Sequence, residues 1–149
     1  MAGRLARGAD AMTPILAYQN RHFDGVDRLW RTVFPGDPPR NRAAQAIPAK
    51  LALGDDLLLV AETPEGAVIG TIMAGWDGHR GWLYAVAVDP AAQRGGVGRR
   101  LVEAALARLA ERGCGKVNLQ VREGNEAVVA FYHRLGFDVE PRTSMGRTL

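Results

Sequence analysis

The sequence predicts one domain of the α/β or α+β class. Strand-like apolar runs are interleaved with helical stretches along the whole chain. At 149 residues, 47% of them hydrophobic, the chain has the usual size of a domain and enough apolar side chains for one core. No repeat, low-complexity segment or internal linker divides it. We therefore expect a disordered basic tail at residues 1–12 and one domain at residues 13–149.

The first half of the chain predicts three strands and two helices. The first helix is indicated by apolar residues at helical spacing, and a segment rich in proline and glycine ends it. In order, the elements are a strand at "ILAYQ" (15–19), a helix carrying Val26, Leu29, Trp30 and Val33, a second helix from about Asn41 to Leu53, and strands at "LLLVAE" and "AVIGTIMAGW" joined by the hairpin "TPEG".

The second half predicts a buried strand, a long helix and a shorter helix with strands around it. The long helix is indicated by Leu101, Ala105 and Leu109, and Gly113 is a stop signal. In order, the elements are the turn "DGHRG", a strand at "WLYAVAV", the helix from Val97, a strand at "KVNLQV", a helix through "EAVVAFYHRL" capped by Asn125, and final strands at "FDVEP" and "TSMGRTL".

Composition and charge narrow the classes of function. With 19 basic and 16 acidic residues, the net charge of +3 is too small to indicate a nucleic-acid binder. No run approaches the ~20 apolar residues of a membrane helix, so we expect no membrane partner. The single Cys114 excludes an internal disulfide and a cysteine-rich zinc site. We expect a cytoplasmic protein that holds no metal.

Residues 89–101, "DPAAQRGGVGRRL", predict an anion site where a helix begins. The first backbone amides of a helix have no partner within it, and they lie at the positive end of its dipole. Three glycines would let ligand oxygens approach the backbone, and the arginines beside them would add positive charge. The alternative is a simple strand-to-helix turn with a solvated basic face. The residues concerned are Arg94, Gly95, Gly96, Val97, Gly98, Arg99 and Arg100.

Two common phosphate motifs do not fit this loop. A dinucleotide motif starting at Gly96 would need a glycine where Leu101 stands, and a Walker loop would need Lys-Ser/Thr after Gly98. The remaining pattern, Gln93-x-x-Gly96-x-Gly98, resembles the signature of the GNAT superfamily of acyl-CoA-dependent N-acetyltransferases. The segment "REGNEAVVAFYHRLGF" is similar to the second signature of that family. Together the two signatures cover residues 82–137.

The resemblance implies a fold and a cosubstrate. The fold is a central mixed, mostly antiparallel sheet of about seven strands with about four helices, and residues 13–149 would be the acetyltransferase domain. The cosubstrate is acetyl-CoA, whose acetyl group would pass to a primary amine of a small molecule, peptide or protein by direct attack in a ternary complex. A non-catalytic acyl-CoA-binding sensor or interaction module is the alternative. The expected partners are acetyl-CoA and an amine acceptor, in a monomer or homodimer.

The resemblance also assigns roles to residues. The backbone of Val86, Ala87 and Val88 would run beside the pantetheine arm, residues 94–99 would cradle the pyrophosphate, Tyr132 would hydrogen-bond the departing thiolate, and Asn125 would touch the coenzyme as well as cap its helix. Each has a structural alternative: Val86–Val88 as a buried strand, Tyr132 as a core aromatic, and Asn125 as a cap alone.

The proton acceptor is the open point of the predicted site. "GWDGHRG" (75–81) is similar to a small bacterial subgroup of the family and more loosely to the ribosomal-protein N-terminal acetyltransferases. That ribosomal group has a glutamate base where Gln120 stands here, and an amide cannot accept the proton. Of the candidates Asp77, His79, Tyr84 and Glu103, we assign His79, because imidazole titrates near neutrality. The alternative is that His79 belongs to a solvated hairpin tip and that the proton leaves by water. The histidines His22 and His133 are expected at the surface.

Overall fold

The computed structural model describes residues 13–149, so the tail predicted at residues 1–12 lies outside the described residues. The chain divides into two compact units, one ending at Leu119 and one running from Gln120 to Leu149. Within residues 13–149 no helix combines the length and the apolar character that a membrane span requires.

The first unit is built on a mixed, mostly antiparallel sheet, as predicted. Its strands lie side by side in chain order; β1 to β4 pair antiparallel, and β5 pairs parallel with β4. The strands are β1 (Ile15–Ala17), β2 (Leu58–Glu62), β3 (Val68–Trp76), β4 (Gly81–Val88) and β5 (Val117–Asn118). The prediction of about seven strands is wrong for the described residues, which form five.

The missing strands belong to the second unit. The segments "FDVEP" and "TSMGRTL" contain no regular structure, and Val139 and Met145 are 81% and 91% exposed. Their side chains alternate as in strands, but pairing that buries no apolar surface gives little stability, and Pro141 lacks a backbone donor. The predicted strand "KVNLQV" contracts to the two residues of β5.

The four predicted helices are present in the described chain. They are α1 (Phe23–Val33), α2 (Ala43–Leu51) and α3 (Val97–Glu111) in the first unit, and α4 (Glu126–Arg134) in the second. Trp30 of α1 bonds to Thr71 of β3, whereas the α-carbon of the preceding residue, Gly70, faces Leu101 of α3. Because neighbouring strand residues point to opposite faces, α1 and α3 cover opposite faces of the sheet.

Gly70 lets α3 lie directly on the sheet. A β-carbon there would lie 2.8 Å from Leu101 Cδ1, 3.0 Å from Val97 Cγ1 and 3.3 Å from the Ala87 carbonyl oxygen. Two of these neighbours are side chains from the first turns of α3. The absence of a side chain at Gly70 therefore sets how closely the glycine-rich start of α3 approaches β3 and β4.

We expect Gly70→Ala to destabilise the fold by about 1–3 kcal/mol, because an added methyl group overpacks this contact. Gly36→Ala is the matched control, since a β-carbon at Gly36 meets nothing within 4 Å. Urea denaturation followed by circular dichroism measures both free energies of unfolding. Equal midpoints for the two variants would mean that α3 can shift away without cost.

The expected surface position of His22 is wrong. Its side chain is 1% exposed, its Nδ1 accepts a hydrogen bond from the Gln19 amide at 2.9 Å, and its Nε2 lies 2.8 Å from a Glu62 carboxylate oxygen. Both ring nitrogens are satisfied inside the fold, so His22 joins the start of α1 to the end of β2. His133 lies at the surface, as expected.

Candidate active site

The edge of β4 that faces β5 is open along most of its length. Among residues 13–149, β5 pairs with β4 only at Gly81 and Trp82. Directly after β4, the Asp89 amide donates to the Ile69 carbonyl of β3 at 2.8 Å. Backbone groups alternate between the two sides of a strand, so Val86 and Val88 turn their amides and carbonyls to the open edge. The backbone groups of Ala87 turn to β3, where this residue pairs with Thr71.

A bulge interrupts β4 at the beginning of the open edge. Thr71 pairs with Ala87 and Met73 pairs with Tyr84, so two residues of β4 oppose only one residue of β3. Ala85, inside the bulge, has a φ of 49°, in the left-handed region. This conformation costs about 1 kcal/mol for a residue with a β-carbon. Bulges change the direction of backbone groups, and here the change occurs directly before the Val86 amide.

The glycine loop joins this strand to the N-terminus of α3. Gly96 is the N-terminal cap residue, with a left-handed φ of 86° and no side-chain capping bond. The Arg100 amide donates to the Gly96 carbonyl at 3.1 Å, so the amides before it have no acceptor within the helix. Val97 is 1% exposed and fixes the loop to the core. The loop therefore presents several amides and the positive end of a fifteen-residue helix.

The arginines around the loop differ in their surroundings. Arg94 is exposed and has a φ of 70°, so the backbone turns in the left-handed region on both sides of Gly95. Arg99 is exposed and its Nε donates to Glu103 at 2.8 Å. Glu103 is thus a solvated helix residue held by its neighbour. An exposed pair of this kind contributes little to stability and can be exchanged for another anion.

The second unit carries the tyrosine of the second signature. Tyr132 lies on α4, is 7% exposed, and makes edge-to-face contacts with Phe131 and Phe137 at ring-centroid distances of 5.0 and 5.6 Å. The Asn125 side chain accepts from the Val128 amide at 3.4 Å and caps α4. Capping accounts for Asn125 within its own unit, and aromatic packing accounts for the burial of Tyr132.

Burial raises the pKa of Tyr132 to about 12. The ordinary phenol pKa is about 10, so removal of the ring from water stabilises the neutral form. Tyr132 is therefore a hydrogen-bond donor throughout the neutral pH range. It cannot serve as a base under these conditions.

The "DGHRG" hairpin lies at the opposite end of β4 from the glycine loop. One Asp77 carboxylate oxygen accepts from the His79 amide at 2.8 Å and the Arg80 amide at 3.0 Å. These hydrogen bonds lower the pKa of Asp77, and the bond from the Arg80 amide contributes most. The ionised carboxylate therefore stabilises the turn. The His79 side chain is exposed. β4 begins at Gly81, four residues before Ala85. At the usual rise of a strand, the hairpin end of β4 therefore lies about 13 Å from Ala85.

Neither Gln120 nor Tyr84 is available as a base. Gln120 is exposed and its amide donates to the Ser144 hydroxyl. Tyr84 is 51% exposed and stacks on Trp82 with a centroid distance of 6.4 Å. Burial and, to a smaller extent, the nearby Asp77 raise the pKa of Tyr84, so it remains protonated at neutral pH.

Sequence reasoning missed three residues that shape the site, Trp30, Gly70 and Thr71. Two signals were available in "AVIGTIMAGW": a glycine inside a strand marks a close backbone approach, and the following threonine is the one hydroxyl residue of the segment. Trp30 had no such signal, because its indole bonds to a residue 41 positions away.

The chain is similar in sequence and in fold to known proteins. A family model described as the acetyltransferase (GNAT) family matches residues 23–137. An acetyltransferase of Yersinia enterocolitica is 34% identical over 138 residues, which cover 91% of this chain and 94% of the relative. The solved structure of Ard1 from Thermoplasma volcanium has a TM-score of 0.76 at 24% identity, covering 85% of this chain and 83% of its own. Aminoglycoside N-acetyltransferase AAC(6')-Iy in complex with CoA has a TM-score of 0.74 at 21% identity, covering 91% and 94%.

Proposed function

Because the chain belongs to the GNAT family and is an acetyltransferase, we propose that it transfers the acetyl group of acetyl-CoA to a primary amine at the open edge of β4. The observation that carries this proposal is the continuity of that edge with the glycine loop. Within residues 13–149, strand amides with no ladder partner and an uncapped helix N-terminus follow one another along the fourteen residues from Val86 to Arg99. We take residues 13–149 to act as one domain, because the family match crosses the boundary between the two units.

The two parts of this surface suit the two parts of the coenzyme. The amides of Val97, Gly98 and Arg99 and the charge of Arg94 suit the pyrophosphate, because helix N-termini favour anions. The open-edge groups of Val86 and Val88 suit the amides of pantetheine, which can pair with a strand edge. An amide of the same strand then donates to the thioester carbonyl, where negative charge develops during attack.

The reaction needs one bond made and one bond broken. The neutral amine nitrogen attacks the thioester carbonyl carbon, the C–N bond forms, the C–S bond breaks, and CoA leaves as the thiolate while the amine loses a proton. Tyr132, with a pKa of about 12, and a thiol of about 8.5 differ by about 3.5 units, or about 5 kcal/mol. Tyr132 is therefore proposed to stabilise the leaving sulfur by a hydrogen bond, without complete proton transfer.

The acceptor is proposed to be an amine with a lowered pKa. At pH 7 an α-amine of pKa ~8 is about one-tenth neutral, whereas a lysine side chain at ~10.4 is neutral in about one molecule in 2,500. Gln120 cannot remove the extra proton, so an already neutral amine has the advantage. Amino sugars are the second class to test, because the aminoglycoside N-acetyltransferase AAC(6')-Iy is similar to this chain in fold.

Free-thiol release from acetyl-CoA tests the function directly. The purified protein is assayed with peptides, aminoglycosides, polyamines and amino acids, and the masses of the products are measured by mass spectrometry. We expect amine-dependent thiol release with one acetyl group gained per thiol. Saturable CoA binding without release for any of these classes would favour the non-catalytic acyl-CoA-binding module instead.

The proposed role of His79 predicts a change in pH dependence. If its imidazole takes the proton of the acceptor, directly or through water, His79→Ala should lower kcat/KM tenfold or more and remove an ionisation between about pH 6 and 8. His133→Ala is the control, because His133 is an exposed histidine of α4. Superimposable pH profiles for wild type and His79→Ala would mean that His79 does not take the proton and that the hairpin is only a turn.

A further inference from the structure

We propose that Trp30 and Thr71 are positioning residues that fix the direction of the Val86 amide at the open edge of β4. The inference rests on the proposed function for the role of that amide, but the hydrogen-bond chain behind it belongs to the fold. The indole Nε1 of Trp30 lies 2.8 Å from Thr71 Oγ1, and this oxygen lies 2.9 Å from the Ala85 carbonyl oxygen.

The direction of this chain is set by chemistry. An indole N–H can only donate, so the hydroxyl oxygen of Thr71 accepts from Trp30. The hydroxyl has a single proton, which is left to donate to the Ala85 carbonyl. Thr71 is completely buried and Trp30 is 4% exposed. Burial keeps these side chains from bulk water, and the two hydrogen bonds together orient the hydroxyl.

The peptide group transmits this constraint to the Val86 amide. The Ala85 carbonyl and the Val86 N–H belong to one planar trans peptide unit, so they point in opposite directions. Thr71 lies on the neighbouring strand β3, so a carbonyl held by its hydroxyl directs the Val86 N–H away from β3, toward the open edge of β4. Ala85 is the bulge residue with left-handed φ, and the Thr71 hydroxyl gives its carbonyl a side-chain partner where the ladder is interrupted.

Thr71→Val tests the proposal because it keeps the shape and removes the hydroxyl, while Thr71→Ser keeps the hydroxyl and removes the methyl group. We expect Thr71→Val to lower kcat at least tenfold with the KM for acetyl-CoA changed less than threefold, and Thr71→Ser to retain kcat within threefold. Trp30→Phe removes the donor that orients the hydroxyl together with part of the buried ring, and we expect it to lower kcat at least threefold with KM unchanged.

A second readout follows the amide itself. In ¹⁵N-labelled protein without ligand, the Val86 amide resonance should move in Thr71→Val and return close to the wild-type position in Thr71→Ser. Equal losses of kcat in the valine and serine variants would overturn the proposal, because packing alone would then explain them. A wild-type kcat in Thr71→Val, or in Trp30→Phe should the valine variant not fold, would overturn it as well.

The wild type separates this inference from the proposed function. If the wild-type chain neither binds acetyl-CoA nor releases thiol, the proposed function fails. If the wild type is active and Thr71→Val matches it, the function stands and the positioning role fails.

Discussion

Tyr132→Phe is expected to slow turnover about 100-fold or more while leaving the affinity for CoA unchanged. The variant removes one hydroxyl and keeps the aromatic ring that contacts Phe131 and Phe137. A donor aimed at a leaving group acts mainly in the transition state, so its loss lowers kcat more than it weakens binding. Tyr18→Phe is the matched control, because Tyr18 is another tyrosine whose pKa is raised, chiefly by burial.

The measurements are kcat under conditions where chemistry limits the rate and Kd for CoA by calorimetry. The same account predicts that Tyr132 contributes no ionisation to the pH–rate profile below about pH 11, since its pKa is about 12. Equal kcat values for wild type and Tyr132→Phe would mean that Tyr132 has only a structural role. An equal drop in Tyr18→Phe would indicate a general loss of structure.

The second large effect is expected from Gly96→Val. A valine at this position places a branched side chain where the loop amides meet the pyrophosphate, and we expect the affinity for CoA to fall at least tenfold. Nothing in the described protein lies within 4 Å of the added β-carbon, so the variant does not crowd the core. Its folding cost comes from the left-handed φ of 86°.

Gly66→Val provides the matched control for that cost. Gly66 lies in the turn between β2 and β3, has a φ of 85°, and also has open space around its β-carbon position. The two variants carry nearly the same backbone strain at different places. Calorimetry should therefore find wild-type CoA affinity in Gly66→Val and weak binding in Gly96→Val. Equal affinity in both folded variants would contradict the assignment of the glycine loop.

Local sequence patterns predicted most of the fold because they report burial along one element. Leu101, Ala105 and Leu109 recur at helical spacing, and all are buried on α3. The same reasoning failed for residues 137–149. Alternation describes the side chains of a strand, but it carries no information on whether a partner strand is available.

The candidate site was predictable where it depends on glycine and not where it depends on tertiary contacts. The excess of glycine before α3 predicted an open loop, and Gly96 has the expected left-handed backbone. Ala85 and Arg94 adopt positive φ without being glycine. Only the surrounding structure holds such conformations, so no local pattern indicated them. The Thr71 hydrogen bonds likewise join residues far apart in the sequence.

A titration of ¹⁵N-labelled protein with acetyl-CoA, followed by amide chemical shifts, tests the central claim most directly. The claim is that one continuous surface, the open edge of β4 and the start of α3, binds the coenzyme. We expect saturable shifts of the Val86, Val88, Val97 and Gly98 amides, and none at Gly66, in the β2–β3 turn. An absence of saturable shifts at millimolar acetyl-CoA, or shifts that leave these four amides unchanged, would contradict the account.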